Sequence, residues 1–331
     1  MISTLELQNF RGFEGIRFEK LGLANLIIGG NNVGKTSVLE ALVVASGSSE
    51  QLSELPQTFR PEPSMTNHSQ SLDYWTLLAK NPSSEIWVST NDTVTTTATI
   101  NNGTPNITRT NTRLSVRNYN SHLSGHLVLR QAIGTVKDVG PLSIIGPGQA
   151  DPVHVSKLYA QVGPLDPDNE LRIEELLRKS IDPRVRRLRY AKSPDSSVEL
   201  IHVDLNEGRM LPFNLMGQAF VRTIHTYCEI FGTRPKILLI DEIENGLYYE
   251  GLEDYWRGLL EVLEDQQVQL FATTHSRECM EAAHRAAKAR TEYPLRFLRL
   301  DRRVDDPAKI VATTFAGEEM QTAIDSNLEM R

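Results

Sequence analysis

Hydrophobic and polar positions alternate over "TLELQNFRGFEGIRFE", residues 4–19, in two runs that flank Arg11-Gly12. A period of two broken at Arg-Gly predicts two strands joined by a turn. The alternation gives way to a continuous apolar run, "LANLIIG", which predicts a buried strand. After a knot of Gly and Asn, the apolar spacing becomes helical from Lys35 to Ala45. Residues 46–81, rich in Ser, Pro and Gln, read as loop or short helix.

Residues 84–131 are crowded with Thr, Asn and β-branched side chains and broken by "NNGT", which predicts antiparallel strands with polar outer faces. Helical spacing follows at 153–162 and 168–180, then a hairpin, "VRRLRYAKSPDSSVELIHVDL", turning at "SPDS". "PFNLMGQAFVRTIHTYCEIFG" begins as loop and becomes a helix that Gly232 would cap. The short apolar strands "KILLID" and "VQLFATTH" then flank the amphipathic "LEDYWRGLLEVLED". That order predicts an α/β fold with a parallel sheet covered on both faces. "LRFLRLDRR" and "KIVATTF" read as a closing strand pair, and "GEEMQTAIDSNLEMR" as a final helix.

Composition narrows the picture only modestly. The 331 residues are 40% hydrophobic and 23% charged, enough for a full core, and the net charge of -7 excludes a basic field over the whole surface. Cys228 and Cys279 stand alone, without the spacing of a disulfide framework or a zinc site. The first residues carry charge early, and no stretch reaches the ~18 apolar residues of a membrane span. A cytoplasmic protein without membrane attachment is expected.

The candidate chemistry begins at Gly29-Gly30-Asn31-Asn32-Val33-Gly34-Lys35-Thr36, followed by Ser37. This GxxxxGK[ST] pattern, between an apolar strand and a helix, fits a phosphate-binding loop. Backbone N–H groups would wrap the phosphates at a helix N-terminus, Lys35 would reach the β- and γ-phosphates, and Thr36 would ligate Mg²⁺. Asp241 and Glu242 end a buried strand, where ligands of open α/β sheets bind. Asp241 would hold Mg²⁺ through water and Glu242 would act as general base. Paired acids after a strand are otherwise merely solvated, and Glu244 reads as a loop carboxylate. His275, ending "LFATTH", could meet the γ-phosphate or serve a structural role. Asn214, Gly217 and Gln218 in "NLMGQ" precede a helix; on spacing alone this is a helix N-terminus capped by Asn214.

The order of "NFRGF", "GGNNVGKTS", "NLMGQ", "LLIDEIENGL" and "ATTHS" resembles the ABC-type ATPase heads of the SMC, RecF and OLD group. It is most similar to compact stand-alone AAA-family ATPases and to ATPase subunits of anti-phage systems such as PARIS, Septu and retron-linked modules. The resemblance implies a P-loop ABC-ATPase head with a mixed or parallel sheet flanked by helices, an antiparallel β subdomain and a short helical subdomain. Its divisions would be 1–46, 84–135, 151–192 and 205–331 of a single module spanning 1–331. It also implies that Asn214, Gly217 and Gln218 form the signature motif, which binds the γ-phosphate of ATP held by a second copy. Met216 departs from the usual glycine. Asn245 falls at the D-loop, Gln149 takes the Q-loop position near the metal, and Arg11 stands open between a nucleotide neighbour and a surface turn.

The cofactors implied are ATP, favoured over GTP because no NKxD is present, and Mg²⁺. The partners implied are a homodimer or dimer-based higher oligomer and a protein effector, nuclease or toxin, encoded nearby. Fifty-six residues follow His275, too few for a TOPRIM domain, so no built-in nuclease is expected. Between residues 172 and 192, eight basic residues stand against three acidic ones, a patch for nucleic acid or an acidic partner, or a charge-protected edge. Two other readings remain open: a DNA-binding repair or chromosome-maintenance ATPase, and a scaffold that holds ATP with little turnover and sequesters a toxin or nuclease.

Overall fold

The computed structural model describes residues 1–59, 80, 86–90, 94–101, 104–110, 141–148, 150–163, 166–192, 198–206 and 208–326. The alternating N-terminal runs form an antiparallel pair, β1 (Leu5–Phe10) and β2 (Phe13–Phe18), with Phe10 opposite Phe13 across the Arg11-Gly12 turn. β1 pairs on its other edge with β4 (Ile86–Thr90). β5 (Val94–Asn101) and β6 (Thr104–Thr110) complete a five-stranded antiparallel sheet. The strands expected from 84 onward are therefore present to Thr110, and the remainder of that expectation lies outside the described residues.

The apolar run forms β3 (Ala24–Gly29), at the centre of a six-stranded sheet ordered β14-β13-β3-β12-β11-β7. Its members are β7 (Leu142–Ile145), β11 (Ile237–Ile240), β12 (Gln269–Thr273), β13 (Leu295–Arg302) and β14 (Ile310–Phe315). All pairs are parallel except β13 with β14. The carboxyl ends of five strands thus share one edge, where ligands of such sheets bind.

Side chains alternate across this sheet, and each face builds its own core. Leu26, Ile28, Leu238, Ile240 and Phe297 point to the side of the larger helical cluster. That side carries α3 (Pro152–Val162), α4 (Pro167–Ser180), α5 (Gln218–Thr233), α6 (Leu252–Gln266) and α7 (Arg277–Lys288). Ile27, Leu239, Phe271, Leu298 and Leu300 point the other way, against α1 (Lys35–Ser46), α2 (Ser49–Phe59) and the antiparallel sheet. A third sheet, ordered β10-β9-β8, holds β8 (Arg187–Lys192), β9 (Glu199–Asp204) and β10 (Met210–Pro212); α8 (Gly317–Asp325) follows β14. Both faces of the parallel sheet are covered, as the apolar runs required.

One expected cap is corrected. α5 continues through Gly232 and ends at Arg234, which takes the left-handed conformation at φ 46°. Gly232 serves packing instead: a Cβ there would lie 2.7 Å from Val162 Cγ2, so its absence lets α3 approach α5. The "SPDS" turn and residues 327–331 lie outside the described residues. Among the described residues no helix is long and apolar enough to cross a membrane.

Candidate functional site

β3 delivers the chain to Gly29 at φ 138°, where a Cβ would lie 2.3 Å from the Leu300 carbonyl oxygen. Only glycine lets the loop leave the sheet so tightly. Asn31 and Asn32 are exposed, Val33 and Ser37 are buried, and the Asn32 carbonyl accepts from Arg302 Nη2 at 2.8 Å. From the first turn of α1, Lys35 turns back so that Nζ donates to Gly29 O at 2.7 Å and Gly30 O at 2.8 Å. Burial lowers its pKa to about 8, against the opposing pull of Asp241, Glu244 and Glu242. A cation bound only to two carbonyls at a helix N-terminus is prepared for an anion.

Thr36 stands beside it, its hydroxyl donating to Asp241 Oδ2 at 3.1 Å and Oδ1 at 3.2 Å. The Thr273 hydroxyl donates to Asp241 Oδ1 from the end of β12 and accepts from the Glu242 backbone N–H at 2.8 Å. Burial raises the Asp241 carboxyl above its ordinary range, and the two hydroxyls oppose it. An all-oxygen group of carboxylate and hydroxyl suits a hard cation such as Mg²⁺. Glu242 itself holds φ 50°, a left-handed strain of the kind found where a side chain must be aimed.

Two residues that spacing did not single out complete this edge. Glu244, read as a loop carboxylate, accepts the His275 backbone N–H on Oε1 at 2.7 Å, and its Oε2 is buried without a hydrogen-bond partner. That contact joins the "DEIE" segment to His275, whose residue is exposed. Arg222, on α5, donates through Nη2 to the carbonyls of Asp241 and Glu242 and through Nη1 to Gly146 O at 3.3 Å. The signal for Arg222 was present in the sequence: a lone guanidinium on an otherwise apolar stripe needs buried acceptors.

"NLMGQ" occupies a different surface. A short 3-10 turn, Phe213–Leu215, leads through Met216 to Gly217, whose φ of 94° and ψ of 166° are open only to glycine. No side chain caps α5, so the capping reading of Asn214 does not hold. Asn214, Leu215, Gly217 and Gln218 are exposed, and a Cβ on Gly217 would meet nothing within 4 Å. Asn214, Gly217 and Gln218 line a cleft of about 720 Å³, which also takes in Arg222, His225 and Asn245 but none of residues 29–37. Asn245 is fixed by donating to Pro147 O at 2.8 Å. Gln149 lies outside the described residues.

Arg11 forms through its guanidinium a two-point pair with the fully buried Glu40 of α1, at 2.8 and 3.0 Å. Four of the eight cations of the basic stretch pair with carboxylates of the same chain. Arg172 pairs with Glu261 and Asp265, Lys179 with Glu175, Arg184 with Asp182, and Arg189 with Glu170. Both cysteines are free and buried.

Comparison with known proteins agrees with this geometry. A model described as "AAA ATPase domain" matches residues 1–111, and one described as "AAA domain, putative AbiEii toxin, Type IV TA system" matches residues 136–281. An "ATP/GTP phosphatase" of Helicobacter pylori is 24% identical over 326 residues, covering 85% of this chain and 87% of that protein. The SMC head domain of Thermotoga maritima superposes with a TM-score of 0.53 at 12% identity, over 95% of this chain and 98% of that one. An SMC head bound to the C-terminal winged-helix domain of ScpA gives 0.57 at 13% identity, over 97% and 99%. The fold is that of an SMC head, and residues 1–111 and 136–281 are each similar to an AAA ATPase model.

Proposed function

We propose that the chain hydrolyses ATP with Mg²⁺ at a site completed by a second copy. The carrying observation is the separation of surfaces. Lys35, Thr36 and Asp241 gather at the sheet edge, while the exposed "NLMGQ" motif faces a cleft that none of the loop residues lines. Leu215 is 69% exposed, and Tyr248 and Tyr249 are 63% and 56% exposed just after Asn245. Large apolar side chains standing free beside two motif loops favour a covering surface. A second copy, related by a twofold axis, would supply it with the same patch.

In this reading the residues of loop 29–37 bind the phosphates, and Lys35 exchanges its carbonyl partners for phosphate oxygens. Thr36 and Asp241 would hold Mg²⁺, which neutralises phosphate charge when bound. Glu242 takes a proton from the attacking water, and His275, tied to Glu244, faces the transferred phosphoryl group. Asn214, Gly217 and Gln218 of the other copy close over it. The closing cycle then regulates a partner effector, in anti-phage defence. The motif resemblance and the words of the second matching model support that step, and the neighbouring head bound to ScpA is a precedent for a docked partner.

The test is size measurement with and without nucleotide. The Glu242→Gln protein should form a long-lived dimer on ATP and Mg²⁺ while hydrolysing little. A strictly monomeric Glu242→Gln protein saturated with ATP would remove the composite site. ATP and GTP are compared in the same assay, since the Helicobacter pylori relative bears both names.

A further inference from the structure

Beside the cleft opened by "NLMGQ", which His225 lines, α5 and α3 bring together three side chains that the ATPase reading does not use. His225 and Glu229 lie one turn apart on α5, and His154 comes from the first turn of α3. One potential ligand atom from each lies within 4.8 Å of the other two. His225 Nε2 stands 3.6 Å from Glu229 Oε1, and the rings of His154 and His225 meet edge to face at 5.9 Å.

His225 is the residue that needs explaining. It is only 8% exposed, yet neither ring nitrogen has a hydrogen-bond partner. Leaving a buried polar atom unsatisfied destabilises the fold, and an apolar side chain would fill the same place without that cost. His225 is also one of the residues that line the cleft. Close to Glu229, the Thr233 hydroxyl donates to the Glu229 main-chain oxygen at 2.7 Å, bonds Ser143 Oγ at 2.7 Å and lies 3.5 Å from Glu229 Oε2.

We propose that His154, His225 and Glu229 form a binding site for a borderline divalent cation, best suited to Zn²⁺, with water from the cleft as fourth ligand. Two imidazoles and one carboxylate are a common three-residue zinc set. Around a tetrahedral ion with bonds near 2.1 Å, ligand atoms sit about 3.4 Å apart. His154 is exposed on the first turn of its helix and can rotate to close that difference. The hard-cation chemistry of Thr36 and Asp241 is distinct, having oxygen ligands only.

The site's position gives it a consequence. His225 follows Gln218 by seven residues, or about 10 Å along α5, so a bound ion would pin α3 to the helix that begins at the "NLMGQ" motif. The ion's affinity does not depend on the dimer proposed above, and the two ideas fail separately.

The test uses the full chain, stripped of metal and held in excess Mg²⁺ to occupy any hard-cation site. Zn²⁺ titration should give one saturable site per chain, and Co²⁺ should give the visible bands of a four-coordinate ion. His154→Ala changes an exposed side chain and should fold normally, yet weaken Zn²⁺ binding by about 100-fold or more and abolish the Co²⁺ bands. Glu229→Gln, which keeps the shape, should act in the same direction. Absence of saturable binding, or equal Zn²⁺ affinity in wild type and His154→Ala, would overturn the site.

Discussion

Arg222 of α5 donates to the main-chain oxygen of Asp241, so the helix that starts at "NLMGQ" grips the strand end that carries the acidic pair. The same guanidinium reaches Glu242 O at 3.0 Å, and burial lowers its pKa against the pull of Tyr255 and the nearby carboxylates. Any rotation of α5 is therefore felt at the hydrolytic edge. Arg222→Met should bind nucleotide within a few-fold of wild type but lower kcat by about 10-fold, and unfolding should cost roughly 1–3 kcal/mol less. Nucleotide titration, turnover and urea melts measure the three effects.

Glu244 allows a sharper comparison. Glu244→Ala removes the acceptor for the His275 N–H, so kcat should fall by about 10-fold, roughly 1.4 kcal/mol of barrier, with ATP affinity kept. Glu244→Gln retains an acceptor oxygen and should recover most of the rate. Equal rates for Ala and Gln would mean that charge, rather than the hydrogen bond, matters.

Lys35 predicts a proton signature. Its pKa lies near 8 rather than 10.5 in the nucleotide-free chain, and phosphate oxygens will raise it again. ATP binding should then take up protons between those values, and hardly any at pH 6.5. The stability sign follows from the same shift. The unfolded chain binds more protons in that window, so the folding penalty from Lys35 shrinks as pH rises through it. Calorimetry at pH 8.5 in buffers of different ionisation enthalpy measures the uptake, with Lys35→Arg as the control that should show none.

Leu215 tests the covering surface without touching the nucleotide loop. Leu215→Glu should leave the unfolding free energy within about 0.5 kcal/mol of wild type, because the side chain is exposed in one copy. It should abolish the ATP-dependent dimer of the Glu242→Gln background. Sedimentation velocity separates these outcomes.

Much of this was legible in the chain. The period-two runs gave β1 and β2, and the GxxxxGK[ST] spacing located the loop because its chemistry is local. β7, four residues "LSII", was not found, since so short an apolar run has no period to read. α7 escaped because its apolar face is built mostly from alanines, Ala282, Ala283, Ala286 and Ala287. Contacts between distant residues were equally hidden. Arg11 with Glu40, Arg222 with Asp241 and Glu244 with His275 each depend on how elements far apart in the chain pack together. In the basic stretch at 172–192 the partners of Arg172, Glu261 and Asp265, were hidden in the same way, since they come from α6.

The most direct test of a site shared by two copies is complementation. Lys35→Ala removes the loop's cation and Gly217→Val fills the motif's glycine, so each protein alone should be inactive. In a mixed dimer one site keeps an intact loop from one copy and an intact "NLMGQ" from the other. An equimolar, freely exchanging mixture should therefore recover about a quarter of wild-type ATPase per chain. A mixture as inactive as its two components, with mixed dimers demonstrably formed, would contradict the shared site.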